Sequence, residues 1–456
     1  MINVRELQRI VGEDWVITKR EQMESYLVDE TYLGVRPKPA DNVLVVKPAN
    51  SGEISEILKL ANREKTAVYP RGGGTGLVGG AIPTRDGIVL SLERLDKIEE
   101  MDKENLMVVA EAGVTIGEVM KAAEDADLFF PPHPGDEGAQ VGGIVACNAA
   151  GVRVVKYGVM RNYVKGVEVV LPTGEVISMG GKLLKNNQGL DLMHLLIGSE
   201  GILGIITKAI FRLYPRSPGM ASLVISYDDR HNAINTVPKI LQSGVIPLAI
   251  EYVEHEEVEL SASHLGLKWP AAKGKAHLYI IVVGANEDEV YLQCEQISSV
   301  CQKYGAIDTL IAERREEQAD LLKIRSEMYT PMKPNIADAL DITVPPANIG
   351  KILDEMDRIA ERFDTDIPVF GHAGDGNLHP NLMNDLLEKG TLKEVKREIY
   401  KAALSLGGVV TGEHGMGKTR LSEFDLCFDN KSRELMKEIK KVFDPNNILN
   451  PGTAIA

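Results

Sequence analysis

Cysteine is scarce: Cys147, Cys294, Cys301 and Cys427 are scattered through 456 residues, and no two form a C-x-x-C pair. That argues against iron–sulfur clusters and zinc ribbons and fits a reducing compartment. Positive charge is also in deficit, with 51 Lys and Arg against 66 Asp and Glu, a formal net charge of -15. Such a balance argues against a nucleic-acid or anionic-membrane surface while leaving room for a local basic pocket. Long apolar runs are missing as well. None approaches a membrane span, and Met1 to Ser25 is charged throughout without an apolar h-region. The expectation is a cytoplasmic protein with no transmembrane segment and no nucleic-acid partner. Internal repeats and low-complexity tracts are absent. What remains, 44% hydrophobic and 26% charged residues, is the composition of an ordinary soluble globular protein. Its length predicts two or three domains.

The most informative stretch is Gly371-His372-Ala373-Gly374-Asp375-Gly376-Asn377-Leu378-His379. Its central Asp-Gly predicts a tight hairpin turn of the primed type, which needs positive φ at both central residues. With Asp375 and Gly376 at the tip, residues 374/377, 373/378 and 372/379 face each other. His372 and His379 then stand directly opposite, with Cβ atoms about 5 Å apart. Two imidazoles that close, with a carboxylate nearby, suit a divalent metal. The competing reading is a pair of surface histidines beside a turn.

Residues 1–40 read as a helical lead-in, with Val11 and Trp15 in a polar stretch, ending at Pro37 and Pro39. Val43–Val46 reads as a strand, Ser51 as the cap of a helix with Ile54, Ile57, Leu58 and Ala61 on its apolar face, and Ala67–Pro70 as the next strand. This β-α-β unit runs into Arg71-Gly72-Gly73-Gly74-Thr75-Gly76-Leu77-Val78-Gly79-Gly80. Successive glycines let backbone N–H groups converge on an anion, and Arg71 adds charge. A second Gly/Pro-rich stretch, Pro131 to Asp136, is followed by Val141-Gly142-Gly143 and Asn148-Ala149-Ala150-Gly151, a density of small residues that lets backbone approach a ligand. From about residue 216, strands such as 222–226, 248–253 and 278–283 alternate with helices such as 286–304 and 349–363. That pattern predicts an α+β domain on an antiparallel sheet.

Gly412-Glu413-His414-Gly415-Met416-Gly417-Lys418-Thr419 satisfies the P-loop pattern, which taken alone implies an NTPase. Glu413 inside a loop meant for polyphosphate is unfavourable, and only 37 residues follow Thr419. No apolar strand ending in an acidic Mg²⁺ ligand follows either, so the NTPase is kept only as a remote alternative.

Taken in order, PRGGGTGLVGG, PPHPGDEGAQVGG, NAAGVRVVKYG, GSEGILGIIT, GHAGDGNLHPN, GEHGMGK and DPNNILNPG resemble the FAD-linked 2-hydroxy-acid dehydrogenases of the vanillyl-alcohol-oxidase type. That group contains D-lactate dehydrogenases, the flavin subunit of glycolate oxidase and D-2-hydroxyglutarate dehydrogenase. The resemblance implies an α+β fold, with a two-lobed PCMH-type FAD-binding domain over 41–215 and a ferredoxin-like α+β cap domain carrying the metal site over 216–425. A C-terminal helix and tail, 426–456, would pack back on the FAD domain. Carried over by position, Arg71, Gly72, Gly73, Gly74, Thr75 and Gly76 would cradle the pyrophosphate. Pro134, Gly135, Val141, Gly142, Asn148, Gly151, Tyr157, Ile206 and Asn450 would line the rest of the cofactor. Thr75 stands where some members carry a flavin-linking histidine, so noncovalent FAD is expected.

In the cap, the resemblance implies one divalent metal held by His372, His379 and Glu413, zinc foremost, with iron or manganese as alternatives. His414 would be the general base, Arg325 the cation for the substrate carboxylate, and Asn381 a further donor to substrate. The implied reaction is oxidation of a D-2-hydroxy acid by hydride transfer to flavin N5. D-lactate leads, with glycolate and D-2-hydroxyglutarate behind it, because no second basic residue is evident in Ala337–Asp341 for a distal carboxylate. Electrons would pass to an electron-transferring flavoprotein, a quinone or an iron–sulfur subunit, and a homodimer or hetero-complex is left open. The alternatives are an oxygen-using oxidase and a non-redox flavoenzyme of the same fold.

Overall fold

A computed structural model describes residues 3–455. The first helix, Val4–Val11, is capped by the Asn3 side chain accepting from Glu6 N and is stopped by Gly12 at φ 93. The helical lead-in expected as far as residue 40 therefore ends after eight residues. Single 3₁₀ turns at Glu13–Trp15, Arg20–Gln22 and Glu24–Tyr26 and the short strand Val16–Ile17 follow. Gly12 adopts a conformation that a helix cannot continue through.

The first lobe is a four-stranded sheet in the order Val16–Ile17, Val43–Val46, Gly87–Ser91, Ala67–Arg71, the last three parallel. Gly87–Ser91 thus lies between the two strands of the β-α-β unit. The connecting helix, Ser51–Glu64, buries Ile54, Ile57, Leu58 and Ala61 at 0–1% exposure. Its cap is Asn50, whose Oδ1 accepts from Glu53 N at 2.9 Å, and Ser51 becomes the first helical residue. The second lobe is an antiparallel five-stranded sheet in the order Ile98–Asp102, Met107–Glu111, Ile205–Arg212, Val164–Val170, Val176–Gly180. Helix Val141–Ala146 lies against its central strand Ile205–Arg212.

The cap is an eight-stranded sheet whose strands run, side by side, Asp308–Ala312, Gly219–Tyr227, Ala276–Gly284, Ala249–Glu254, Val369–His372, Asn377–Met383 and Ile336–Ala339. The short Ile342–Thr343 also pairs with Asn377–Met383, and every pairing is antiparallel. Side chains alternate between two cores. Ile250, Tyr252, Leu378 and Leu382 join helices 230–242, 287–303 and 349–363 on one face. Ala249, Val253 and Phe370 join helices 255–265 and 315–326 on the other.

The hairpin differs from its expected register. His372 pairs with Asn377 and His379 with Phe370, so the loop is the four residues Ala373 to Gly376. A two-residue primed turn needs positive φ at both Asp375 and Gly376, and only Gly376 has it, at φ 87. The N–H groups of Asp375 and Gly376 both donate to His372 O, at 3.3 and 3.1 Å. The histidines become a diagonal pair on one face, which long ring side chains still bridge.

The C-terminal helix Asn430–Phe443 returns the chain to the first lobe. Val68 N donates to Ile448 O at 2.8 Å, Asn450 N donates to Val68 O at 2.7 Å, and Lys440 Nζ donates to Ile202 O at 2.8 Å. Among the described residues no helix is long and apolar enough to cross a membrane.

Candidate active site

A cavity of about 520 Å³ runs between the lobes and the cap. One end is the first glycine-rich loop, residues 72–76, with Pro134, Gly135, Gly142, Gly151, Ile206 and Asn450 along its walls. The loop tolerates no side chains where it turns. A Cβ on Gly74, which has φ +75, would run into the Arg71 guanidinium, and one on Gly73 would stand 2.8 Å from Gly138 O. One on Gly142 would stand 2.9 Å from Ala112 Cβ. Bare backbone facing an open channel fits an extended, phosphate-bearing cofactor.

The arginine beside this loop has a structural task as well. Arg71 donates to Val28 O at 2.6 Å and Ser25 O at 2.7 Å, so it clamps the N-terminal segment while still lining the cavity beside Gly74. Three other expected cofactor contacts lie off the cavity wall. Val141 is fully buried in the second-lobe core. Asn148, at φ 50, accepts from Arg161 N at 2.9 Å. Tyr157 packs on Phe129 and Tyr214, with ring centroids 5.6 and 6.1 Å away.

At the other end of the cavity, three imidazoles converge on one carboxylate. Glu413 Oε1 lies 3.8 Å from His372 Nε2, 3.6 Å from His379 Nε2 and 3.5 Å from His414 Nε2. Ligands about 2.0–2.1 Å from a tetrahedral zinc stand about 3.4 Å from each other, so these spacings are near those of a coordination shell. Asp341, His379, Glu413 and His414 each present a ligating atom, all within 4.8 Å of one another. Asp341 is nevertheless fully engaged. Its Oδ2 accepts from Thr411 Oγ1, Glu413 N and His414 N at 2.7, 2.9 and 2.7 Å, and its Oδ1 accepts from Asn377 Nδ2 at 2.8 Å. It holds the Glu413–His414 backbone in place. His379 Nδ1 and His414 Nδ1, both buried, have no hydrogen-bond partner and lie 3.9 and 3.8 Å from Asp341.

The electrostatics differ among the three histidines, and without a cation only His379 is biased toward the neutral form. Burial works against the imidazolium of His372, but Glu251 and then Glu413 outweigh it and raise its pKa well above the ordinary value. Burial pushes His379 down, keeping it neutral, as a metal ligand must be. His414 is raised because Asp341 and Glu413 overcome its burial. Glu413 is held well below the usual carboxylate range by His372 and His414, against the opposing effect of burial. The clustered donors Asp341, His379, Glu413 and His414 fit a divalent cation, with His372 outside that cluster, 3.8 Å from Glu413.

Arg325 lies on helix Arg315–Ser326 and lines the same cavity. Its side chain is only 7% exposed, forms an ion pair with Glu251 at 2.6 Å and stands 5.2 Å over the Phe370 ring, while Nε and Nη2 make no hydrogen bond. Asn381 is fully buried and does not reach the cavity: its Nδ2 donates to Pro368 O and His379 O, each at 3.1 Å. Sequence reasoning missed Glu251 and Asp341. The available signal was a lone acid inside the apolar run Ala249-Ile250-Glu251-Tyr252-Val253.

The P-loop lookalike opens no helix. Its amides do bind anions, but those anions are the protein's own. Met416 N and Gly417 N donate to the Glu200 carboxylate, each at 2.8 Å, as Glu413 N and His414 N donate to Asp341. Lys418 Nζ donates to Gly80 O, Asn450 Oδ1 and Thr453 Oγ1 at 3.1, 3.2 and 2.7 Å, tying the loop to the first lobe and the C-terminal tail.

A bare-backbone channel leads to a histidine–carboxylate cluster beneath a two-lobed architecture, and comparison with known proteins gives its class. Residues 218–454 match the C-terminal domain of FAD linked oxidases and residues 43–180 match an FAD binding domain. The chain belongs to the FAD-linked oxidase family and is an FAD-dependent oxidoreductase. It is 42% identical to a D-lactate dehydrogenase of Archaeoglobus fulgidus, over 95% of this chain and 96% of that one. It is 36% identical to the glycolate oxidase subunit GlcD of Bacillus subtilis, over 90% of this chain and 88% of that one. Among solved structures, p-cresol methylhydroxylase shares the fold at TM-score 0.80 and 17% identity, covering 99% of this chain and 96% of that one. An alkyldihydroxyacetonephosphate synthase does so at TM-score 0.74 and 19% identity, covering 98% and 85%.

Proposed function

We propose that the chain oxidises a D-2-hydroxy acid to the 2-oxo acid, with D-lactate the foremost substrate and glycolate and D-2-hydroxyglutarate as alternatives. Electrons pass to an external acceptor such as an electron-transferring flavoprotein, a quinone or an iron–sulfur subunit. The observation that carries this reading is the single cavity with a bare glycine loop at one end and a buried arginine beside a histidine–carboxylate cluster at the other. Relatives named D-lactate dehydrogenase and glycolate oxidase subunit support it.

Bound FAD, held noncovalently because Thr75 offers no linking imidazole, supplies the hydride acceptor. A divalent metal, zinc foremost with iron or manganese as alternatives, supplies a Lewis acid that acidifies a hydroxyl, and His372, His379 and Glu413 would hold it. Arg325 receives the substrate carboxylate in a charge-assisted pair, which orients the hydroxyl-bearing carbon. His414 takes the hydroxyl proton on Nε2. Asp341, 3.8 Å from Nδ1, favours the imidazolium so formed, as an acceptor-side carboxylate does for a catalytic histidine.

Anaerobic mixing of the FAD-loaded protein with a panel of D- and L-2-hydroxy acids tests the proposal. Bleaching of the flavin by D-lactate is expected, and an absence of bleaching by every acid overturns the reading.

A further inference from the structure

The second core of the cap contains one charged residue from the central strand Ala249–Glu254. Glu251 is 1% exposed, between Ala249 and Val253 on the face directed at the site. Both its oxygens reach His372 Nδ1, at 2.9 and 2.8 Å, and Oε2 also stands 2.6 Å from Arg325 Nη2. Adjacent strands fix the reach to the histidine, because Tyr252 pairs with Gly371 and so brings Glu251 beside His372. One carboxylate therefore holds a candidate metal ligand and the candidate substrate cation together.

We propose that Glu251 is a positioning residue that couples metal loading to carboxylate recognition, by fixing His372 and Arg325 in one geometry. The inference rests on the 2-hydroxy-acid reading of the site and goes beyond it by naming what links its two halves. With the Nδ1 proton donated to Glu251, Nε2 is the nitrogen left to ligate once a cation displaces its own proton, so the carboxylate sets which ring nitrogen faces the site. The same carboxylate holds Arg325 Nη2 in a 2.6 Å ion pair and leaves Nε free to pair. A buried ion pair gives little net stability over apolar packing of the same volume, so the consequence of this one lies in the geometry it imposes.

Zn²⁺ affinity measured by chelator competition on the FAD-loaded protein tests the inference without turnover. Glu251→Gln is expected to bind Zn²⁺ about 10- to 100-fold more weakly, the usual cost of losing a carboxylate behind a ligating histidine, with the flavin spectrum unchanged. The KM for D-lactate should rise in parallel, while kcat at saturating Zn²⁺ and D-lactate recovers, as a merely destabilised fold would not allow. Glu251→Asp, which keeps the charge but is one methylene shorter, should fall between the two and serves if the glutamine variant does not fold. Zn²⁺ affinity within twofold of the parent in the folded variant overturns the inference, and a parent that binds no Zn²⁺ overturns it together with the metal site. A parent that binds Zn²⁺ but is bleached by no 2-hydroxy acid refutes the dehydrogenase reading and leaves the Zn²⁺ comparison to judge Glu251.

Discussion

Replacing Arg325 with lysine separates recognition of the substrate carboxylate from everything else the site does. Lysine keeps a positive charge beside Glu251, so the buried carboxylate is not left alone and the fold and metal site should survive. What disappears is the planar fork: an ammonium is a point charge that cannot pair bidentately. Arg325 is nearly buried, with Nε unpartnered, so the lost charge-assisted bond is made away from bulk water. A bond of that kind contributes about 1.5–3 kcal/mol, which converts to about a 10- to 150-fold loss. The loss should fall mainly on KM in steady-state assays with D-lactate and an artificial acceptor. D-lactamide, which lacks the carboxylate, provides the control: parent and Arg325→Lys should use it equally poorly. An equal loss on acid and amide, or no loss on either, would refute the assignment of Arg325.

Other substitutions report on the remaining parts. His379→Ala or Glu413→Gln should abolish both bound metal and turnover while flavin absorbance persists; retained turnover would count against the metal. His414→Asn should leave FAD binding intact and slow flavin reduction by about 10²–10⁴-fold, and unchanged reduction would exclude it as the base. Away from the site, burial and then the like charges of Glu254 and Glu256 raise Glu257 to about 7, with Oε2 unpartnered. A carboxyl raised on folding ionises first in the unfolded chain, so it costs stability increasingly as pH rises from about 4.5 to about 7. Glu257→Gln should therefore raise the melting temperature at pH 8, by an amount equivalent to about 1–2 kcal/mol after discounting for partial exposure, and change little at pH 4.

Local pattern makes some elements legible and leaves others hidden. Helix Ser51–Glu64 and helix Ile349–Phe363 follow from their apolar spacing, because one stripe faces one core. The hairpin histidines meet as the motif suggests, but in a register one pair off the expected one, with Gly376 packed against Val344, just past strand Ile342–Thr343, where a side chain has no room. Arg71 lines the cavity as its place beside the glycines suggests, but only the fold shows that it also holds the Ser25 and Val28 carbonyls. Asn381 shares the strand face of His379 but spends its amide on Pro368 and His379 carbonyls. Glu251 and Asp341 act on residues 121 and 72 positions away, and no local periodicity carries such a partnership. The P-loop match shows the reverse hazard: its backbone does bind anions, but they are Glu200 and Asp341.

The central claim is that a metal held by His372, His379 and Glu413 and a flavin in the same cavity act together on a D-2-hydroxy acid. Stopped-flow reduction of the flavin by D-lactate under anaerobic conditions tests it most directly, before and after the metal is stripped by a chelator and restored with Zn²⁺. Rapid bleaching by the metal-loaded protein, a fall of about 100-fold or more on stripping and recovery on restoration are expected. Equal rates in the stripped and loaded protein would contradict the account.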